Sequence, residues 1–222
     1  ATGKAVASQT AHTLLPAVAY APDGKSLATA GHDHQVITRD ATTLRVVHRF
    51  KGKTERTVSW SSVAFSGDGR WLAAGSPAGV VRVWDAATGQ EHFTALTPTE
   101  AGVYGLAFAG PDGRFLVAAA ADNTAQVWDV KTRTKLGFRL QHGGQAWTAS
   151  FSPKGEYVAV GGTGDPRVWE AKTGLLVGGP LVHPGNMGIV AFSPNGDRVL
   201  TWSIDGTARV WETRTGRPLS PF

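Results

Sequence analysis

The sequence predicts an all-β chain of five consecutive four-stranded units, and three observations carry that prediction. The first is a repeated sentence, fullest from Val190 to Trp211 as VAFSPNGDRVLTWSIDGTARVW: a short apolar strand, a Ser-Pro-Asn-Gly turn, a second strand, an Ile-Asp-Gly turn and a third strand. The second is its spacing. The aromatic closing each first strand recurs at Tyr20, Phe65, Phe108, Phe151 and Phe192, at intervals of 45, 43, 43 and 41. The residue near each third-strand end recurs at Arg39, Trp84, Trp128, Trp169 and Trp211, at intervals of 45, 44, 41 and 42. The third is composition, since 28 Gly, 12 Pro and 8 Trp suit many short strands joined by tight turns. A period of about 40–45 residues is that of propeller blades with four strands each. The expected architecture is therefore a β-propeller of five blades, either a closed ring or part of a larger propeller.

The elements follow in order. The first unit has Val18–Tyr20, the Pro22-Asp23-Gly24 turn, 26–31 and 35–40. The second has Val63–Phe65, Gly67-Asp68-Gly69, 71–76 and Val80–Asp85. The third has Leu106–Phe108, Pro111-Asp112-Gly113, Phe115–Ala120 and Thr124–Asp129. The fourth has Ala149–Phe151, Pro153-Lys154-Gly155, 157–161 and Arg167–Glu170. Proline presets the first turn dihedral, Asp or Asn accepts local backbone bonds, and Gly tolerates positive φ. The strands alternate, as where Arg82 points away from Val81 and Val83. Outer fourth strands are expected over 90–96, 134–140 and 175–181, each after a turn.

One domain is expected over 1–222, with units at about 2–40, 41–85, 86–129, 130–170 and 171–212 and a partial outer strand over 213–222. Thr2-Gly3-Lys4 and Ala5-Val6-Ala7 match the turn and outer strand of the other units. That strand either pairs with the last blade to close a ring, or belongs to a preceding blade. The first residues show neither a signal-peptide pattern nor a starting Met, which is compatible with a cut from a longer chain.

The longest apolar run, Phe115 to Ala121, is too short to span a bilayer, so no membrane partner is expected. The absence of cysteine excludes a disulfide framework and thiolate metal sites, and is compatible with a cytoplasmic location. Net charge is +5, with basic residues scattered; the densest group is His48, Arg49, Lys51, Lys53 and Arg56. Without a basic stripe interleaved with aromatics, anion or nucleic-acid binding there is the weakest reading, and a solvated loop the stronger one.

The units resemble tryptophan–aspartate (WD) repeats of the β-propeller family, of a bacterial-like flavour. The residues carrying the resemblance are Trp84-Asp85 and Trp128-Asp129, the variants Trp169-Glu170 and Trp211-Glu212, Ala191–Gly196 and Asp205–Trp211. The likeness covers essentially the whole chain and speaks for fold more than for function. It implies a non-catalytic scaffold for protein–protein interaction. It also implies a hydrogen-bonded set of His, Ser or Thr, Asp and Trp within a blade. His183, Ser203, Asp205 and Trp211 fit that set in the fifth unit. The first unit has His12, Thr29 and Asp33 with Arg39 in place of Trp; the fourth has His142, Asp165 and Trp169; the second and third lack the His. Members commonly carry seven units.

No enzyme is expected, and no cofactor. His32-Asp33-His34 offers neighbouring residues that need not converge as a tetrahedral zinc site requires. Ser203, His183 and Asp205 are the types of a nucleophilic triad, but the same types satisfy buried polar groups in this fold. Gly161–Asp165 lacks the Lys-Ser/Thr ending of a phosphate loop.

Binding is the favoured function. Four residues before each aligned aromatic stand Pro16, Ser61, Tyr104, Trp147 and Gly188, the positions that in the resembling family ring the mouth of the central channel. Tyr104 and Trp147, with Trp60 and Met187, form the candidate apolar anchor for a protein or peptide; core filling is the competing role for Trp60 and Met187. The alternative is a module that self-associates as a homo-oligomer to complete its blades.

Overall fold

The computed structural model describes His12 and residues 17–51, 58–97, 100–183, 185 and 187–219, without the side chains of Leu96 and Met187. The expected outer strand over 5–7 lies outside the described residues. Among the described residues there is no helix, hence none long and apolar enough to cross a membrane.

Among the described residues, nineteen strands form five antiparallel sheets. Blade 1 holds β1 (Ala17–Tyr20), β2 (Ser26–Ala30), β3 (Val36–Asp40) and β4 (Val46–Phe50). Blade 2 holds β5 (Ser62–Phe65), β6 (Trp71–Gly75), β7 (Val80–Asp85) and β8 (Glu91–Leu96). Blade 3 holds β9 (Val103–Phe108), β10 (Phe115–Ala120), β11 (Thr124–Asp129) and β12 (Thr134–Gln141). Blade 4 holds β13 (Ala146–Phe151), β14 (Tyr157–Gly162), β15 (Arg167–Glu170) and the short β16 (Leu176–Val177). Blade 5 holds β17 (Met187–Phe192), β18 (Arg198–Ser203) and β19 (Ala208–Glu212), with a single bridge from Trp211 to Pro218 at the place of an outer strand. Within each blade the strands lie side by side in chain order.

The turns are built as their residues dictate. In blade 2, Ser66 Oγ donates to Asp68 Oδ1 at 2.6 Å and accepts from Trp71 N at 2.8 Å, so the turn is stitched by its own side chains. The acidic residue ending each third strand caps the turn that follows. Asp85 Oδ1 accepts from Thr88 N at 2.9 Å and Thr88 Oγ1 at 3.0 Å, and Asp40 repeats the pattern with Thr43. The Thr43 amide, then its hydroxyl and the Thr42 amide, hold the Asp40 carboxyl below the usual range.

The core lies between blades. Each blade turns one face forward to the next blade and one face back. Ala28 and Ala30 of blade 1 pack with Leu72, Ala74 and Trp84 of blade 2. Ala73 and Val83 of blade 2 pack with Leu116, Ala118 and Trp128 of blade 3. Val117 and Ala119 of blade 3 meet Val158, Val160 and Trp169 of blade 4, and Ala159 of blade 4 meets Val199 and Trp211 of blade 5. Burying one such large apolar side chain stabilises by roughly 1.5–3 kcal/mol. The innermost strands touch in succession, β1 with β5, β5 with β9, β9 with β13 and β13 with β17. Among the described residues, β17 and β1 are not joined to a comparable extent.

Gly113 shows how tightly the turns nest. Its φ is +59°, and a Cβ there would meet Ser66 Cβ at 2.3 Å, so blade 2 and blade 3 turns approach only because no side chain intervenes.

Candidate interaction face and its supporting hydrogen bonds

The antiparallel order puts two kinds of loop on opposite edges of every blade. The starts of the innermost strands and the turns between second and third strands share one edge. The first-to-second and third-to-fourth turns share the other.

On the first edge, Tyr104 and Trp147 occupy equivalent places near the starts of β9 and β13 and are each 43% exposed. Their strands are neighbours at backbone distance. A Cβ on Gly105 would lie 2.8 Å from Thr148 Cα and 2.9 Å from Trp147 O, so glycine permits the approach. Trp147 Nε1 donates to Gln145 Oε1 at 3.4 Å. In blade 2 the same position is Ser61, whose hydroxyl lies 2.6 Å from Val103 O and 3.1 Å from Gly75 O. In blade 5 it is Gly188; Pro16 lies outside the described residues.

Trp60 is a correction to the anchor expected from sequence. It is 2% exposed, lies edge-on to Trp84 at 5.7 Å and donates from Nε1 to His34 O at 3.3 Å. Its ring fills the junction of blades 1 and 2, where apolar area is removed from water, and offers nothing to a partner. Met187 pairs in register with Ser203, and its side chain lies outside the described residues.

The polar set of blade 5 also differs by one residue from the expectation. Trp211 Nε1 donates to Thr201 Oγ1 at 2.7 Å, and His183 Nε2 lies 2.6 Å from the same oxygen. The hydroxyl between His and Trp is therefore Thr201's, not Ser203's. Thr201 and Ser203 share one face of β18; the Trp211 indole, paired in register with Val199, reaches the nearer hydroxyl of Thr201, whereas Ser203, at the strand end, accepts from Asp205 N at 3.2 Å. Asp205 sits 3.9 Å from His183 Nδ1 and binds the Thr207 amide and hydroxyl at 2.7 and 2.6 Å. Register would have found Thr201, because it falls at the same distance after its turn as Thr29 in the first unit.

Blade 1 repeats the arrangement. His12 Nδ1 donates to Asp33 Oδ1 at 2.7 Å, and its Nε2 lies 2.8 Å from Thr29 Oγ1. Arg39, at the place of the indole, donates from Nη1 to Leu44 O at 2.9 Å. Asp33 is thereby committed to a structural contact, and no group of three or more His, Cys, Asp or Glu among the described residues is placed to hold a metal. In blade 4, Val160 replaces the threonine, and buried His142 keeps an Nδ1 contact to Gly144 O at 3.0 Å with no hydroxyl at Nε2. In blade 2, where Ala74 stands at that position, Trp84 Nε1 donates to Lys51 O at 3.0 Å instead.

Burial lowers the basicity of both His142 and His183 below the ordinary imidazole value of 6.5; nearby Arg167 and Arg209 push the same way, against Asp165 and Asp205. His142 Nδ1 donates to Gly144 O, and both rings make structural hydrogen bonds. The Ser203–His183–Asp205 geometry thus serves packing, because the His183 nitrogen a nucleophile would need is taken by Thr201.

The opposite edge carries polar clefts between successive blades. The one between blades 2 and 3, about 590 Å³, is lined by Arg70, Trp71, His92, Asp112, Arg114 and Lys131 among others. Its groups are largely engaged with one another: Arg114 Nε donates to Asp129 at 3.0 Å, the Arg70 guanidinium lies over Trp71 at 4.6 Å, and His92 stacks on Trp71 at 4.3 Å. Of the basic group, Lys51 is exposed, while Lys53 and Arg56 lie outside the described residues.

Comparison with known proteins agrees with this geometry. No curated protein matches the sequence. The model of the WD domain, G-beta repeat matches residues 3–38, 44–85, 90–129 and 182–212, and leaves blade 4, with its shortened turn and Trp169-Glu170 ending, unmatched. Those matches cover more than half of the chain, in register with four of its five sheets, and the protein belongs to the WD-repeat family.

Proposed function

We propose that this chain is a non-catalytic platform that binds a protein or peptide on the edge where the innermost strands begin, with Tyr104 and Trp147 as its anchors. Scaffolding of protein interactions is general in the family. The observation that supports this particular face is the pair of large aromatics, nearly half exposed, at equivalent positions of adjacent blades and mounted on strands in close backbone contact. Rigid aromatic rings with a polar edge are the usual anchors of protein recognition, because they bury much area while ordering few torsions. The test is a set of random displayed peptides selected on the wild-type chain and titrated against Tyr104→Ala and Trp147→Ala. Each substitution weakens the selected peptides at least tenfold, about 1.4 kcal/mol. Peptides that bind both variants like the wild type place the binding surface elsewhere.

A second reading, self-association, is favoured by a separate observation: Val18 and Tyr20 on blade 1, and Leu200 and Trp202 on blade 5, are exposed apolar side chains on the two outermost faces of the array.

A further inference from the structure

On the edge opposite Tyr104 and Trp147, the forward face of each blade ends in a corner beside the first-to-second turns. Register fixes three positions of that corner. The residue paired with the acid that ends the third strand is Trp71 in blade 2, Phe115 in blade 3 and Tyr157 in blade 4. The third strand adds Val83, Val127 and Val168. The fourth strand adds Phe93 in blade 2, Phe138 in blade 3 and Val177 in blade 4. All nine side chains belong to the apolar clusters that join their blade to the next.

Blade 1 departs from this at all three positions, which hold Ser26, Thr38 and His48. A cavity of about 390 Å³ lies there between blades 1 and 2. These three residues line it together with Pro22, Val47 and Phe65, and with Asp23 and Asp68. The cleft between blades 2 and 3 is lined by Trp71 and not by Val83, whereas this one reaches the third strand at Thr38. Thr38 is 4% exposed, and its hydroxyl has no hydrogen-bond partner. It pairs with Ala28, which packs on blade 2, so its side chain faces the same junction, and rotation about χ1 exchanges its hydroxyl and methyl. An unpaired buried hydroxyl is a cost that a bound polar group removes.

The rim of the cavity is acidic. Asp23 and Asp68 are exposed and stand in the first-to-second turns of blades 1 and 2. The two turns approach closely, since a Cβ on Gly69 would lie 3.3 Å from Pro22 Cγ. Each carboxylate accepts through Oδ1 from an amide of its own turn, Lys25 N at 2.9 Å and Arg70 N at 3.0 Å. Neither is in an ion pair among the described residues. Two carboxylates beside apolar walls suit a cation on an apolar stem. Arginine meets both demands, because its stem packs on apolar surface while its planar head carries five donors for carboxylates and hydroxyls together.

We propose that this cavity receives an arginine side chain of a partner protein or peptide. Its guanidinium is neutralised by Asp23 and Asp68 and donates to the hydroxyls of Ser26 and Thr38, and its stem lies against Val47 and Phe65. The site is separate from the Tyr104 and Trp147 edge and does not rest on it.

The experiment titrates the whole ¹⁵N-labelled chain with the peptide acetyl-Ala-Arg-Ala-amide and follows the backbone amide shifts. Saturating shifts are expected at residues 23–26, 47–48 and 68–70. The same peptide with citrulline, neutral and of nearly equal shape, binds at least tenfold more weakly. Asp23→Asn and Asp68→Asn each weaken the arginine peptide at least tenfold, and the amide oxygen of Asn still caps the turn. Ser26→Phe gives the corner the residue that blade 3 has at Phe115, fills the cavity and abolishes saturation; thermal melts verify that each variant keeps the fold. The proposal is overturned if no saturating shift is seen, if the shifts are confined to the Tyr104 and Trp147 edge, if citrulline binds as well as arginine, or if Ser26→Phe binds like the wild type. None of these outcomes touches the reading of the opposite edge.

Discussion

Trp211 and His183 share one oxygen: Thr201 Oγ1 accepts the indole N–H at 2.7 Å and lies 2.6 Å from the imidazole Nε2. All three side chains are buried. The hydroxyl ties the loop before β17 to β18 and β19, so it joins the edge of the blade to its centre.

Moving that hydroxyl has opposite consequences in two blades. Thr201→Val leaves a buried indole N–H and an imidazole without their common partner and lowers stability by about 1–3 kcal/mol. Val160→Thr, at the equivalent position of blade 4, gives His142 Nε2 the hydroxyl it lacks and raises stability by up to about 1 kcal/mol. Urea midpoints of the two variants, at unchanged slope, check the pair; the idea fails if both shift in one direction.

The same histidines set the acid side of the stability curve. Because folding lowers their basicity, the unfolded chain binds more protons once the pH falls below the ordinary imidazole value of 6.5. Their contribution is fully present above that value and is lost as pH falls toward their folded values. The melting temperature therefore declines on acidification from about pH 7.5 through the range where free imidazole titrates, and His183→Asn flattens part of the decline. A melting temperature that rises over this interval would contradict neutral, buried rings.

Two tryptophans, Trp60 before blade 2 and Trp147 in blade 4, separate stability from recognition. Trp60→Ala opens a cavity between blades 1 and 2 and costs about 3–5 kcal/mol. Trp147→Ala changes the denaturation midpoint by less than about 1 kcal/mol, since nearly half of its surface is already in water. Equal losses for the two would move Trp147 into the core.

Much of the architecture was legible in the residues because its signals are local. The turn glycines, the capping acids and the alternating strands place β7, β10, β11, β15 and β18 at the boundaries the repeats predict, whereas β9, β13 and β17 each begin three residues earlier than expected and β16 covers only Leu176–Val177 of the expected 175–181. The polar set was nearly legible. His183 and Trp211 meet at the hydroxyl of Thr201, two residues before Ser203 on the same face of β18, so residue type and alternation leave both hydroxyls open and only the position along the strand decides. What the sequence hid is long-range. Trp60 and Trp147 look alike in a string of letters, and only the packing of one blade on another assigns one to the core and the other to the rim. The exposure of Trp202 was hidden for the same reason, because it depends on which blade faces it.

The serial stacking of blades makes this molecule behave like a one-dimensional chain of coupled units. Among the described residues blades 2, 3 and 4 each pack on two neighbours and blades 1 and 5 on one, so within this array protection from hydrogen exchange is highest in blades 2 to 4. It also makes length a freely adjustable quantity. A repeat duplicated or deleted within the stack alters a single interblade seam and leaves every other seam as it was, which is how an array of this kind grows or shrinks over evolutionary time without losing its fold.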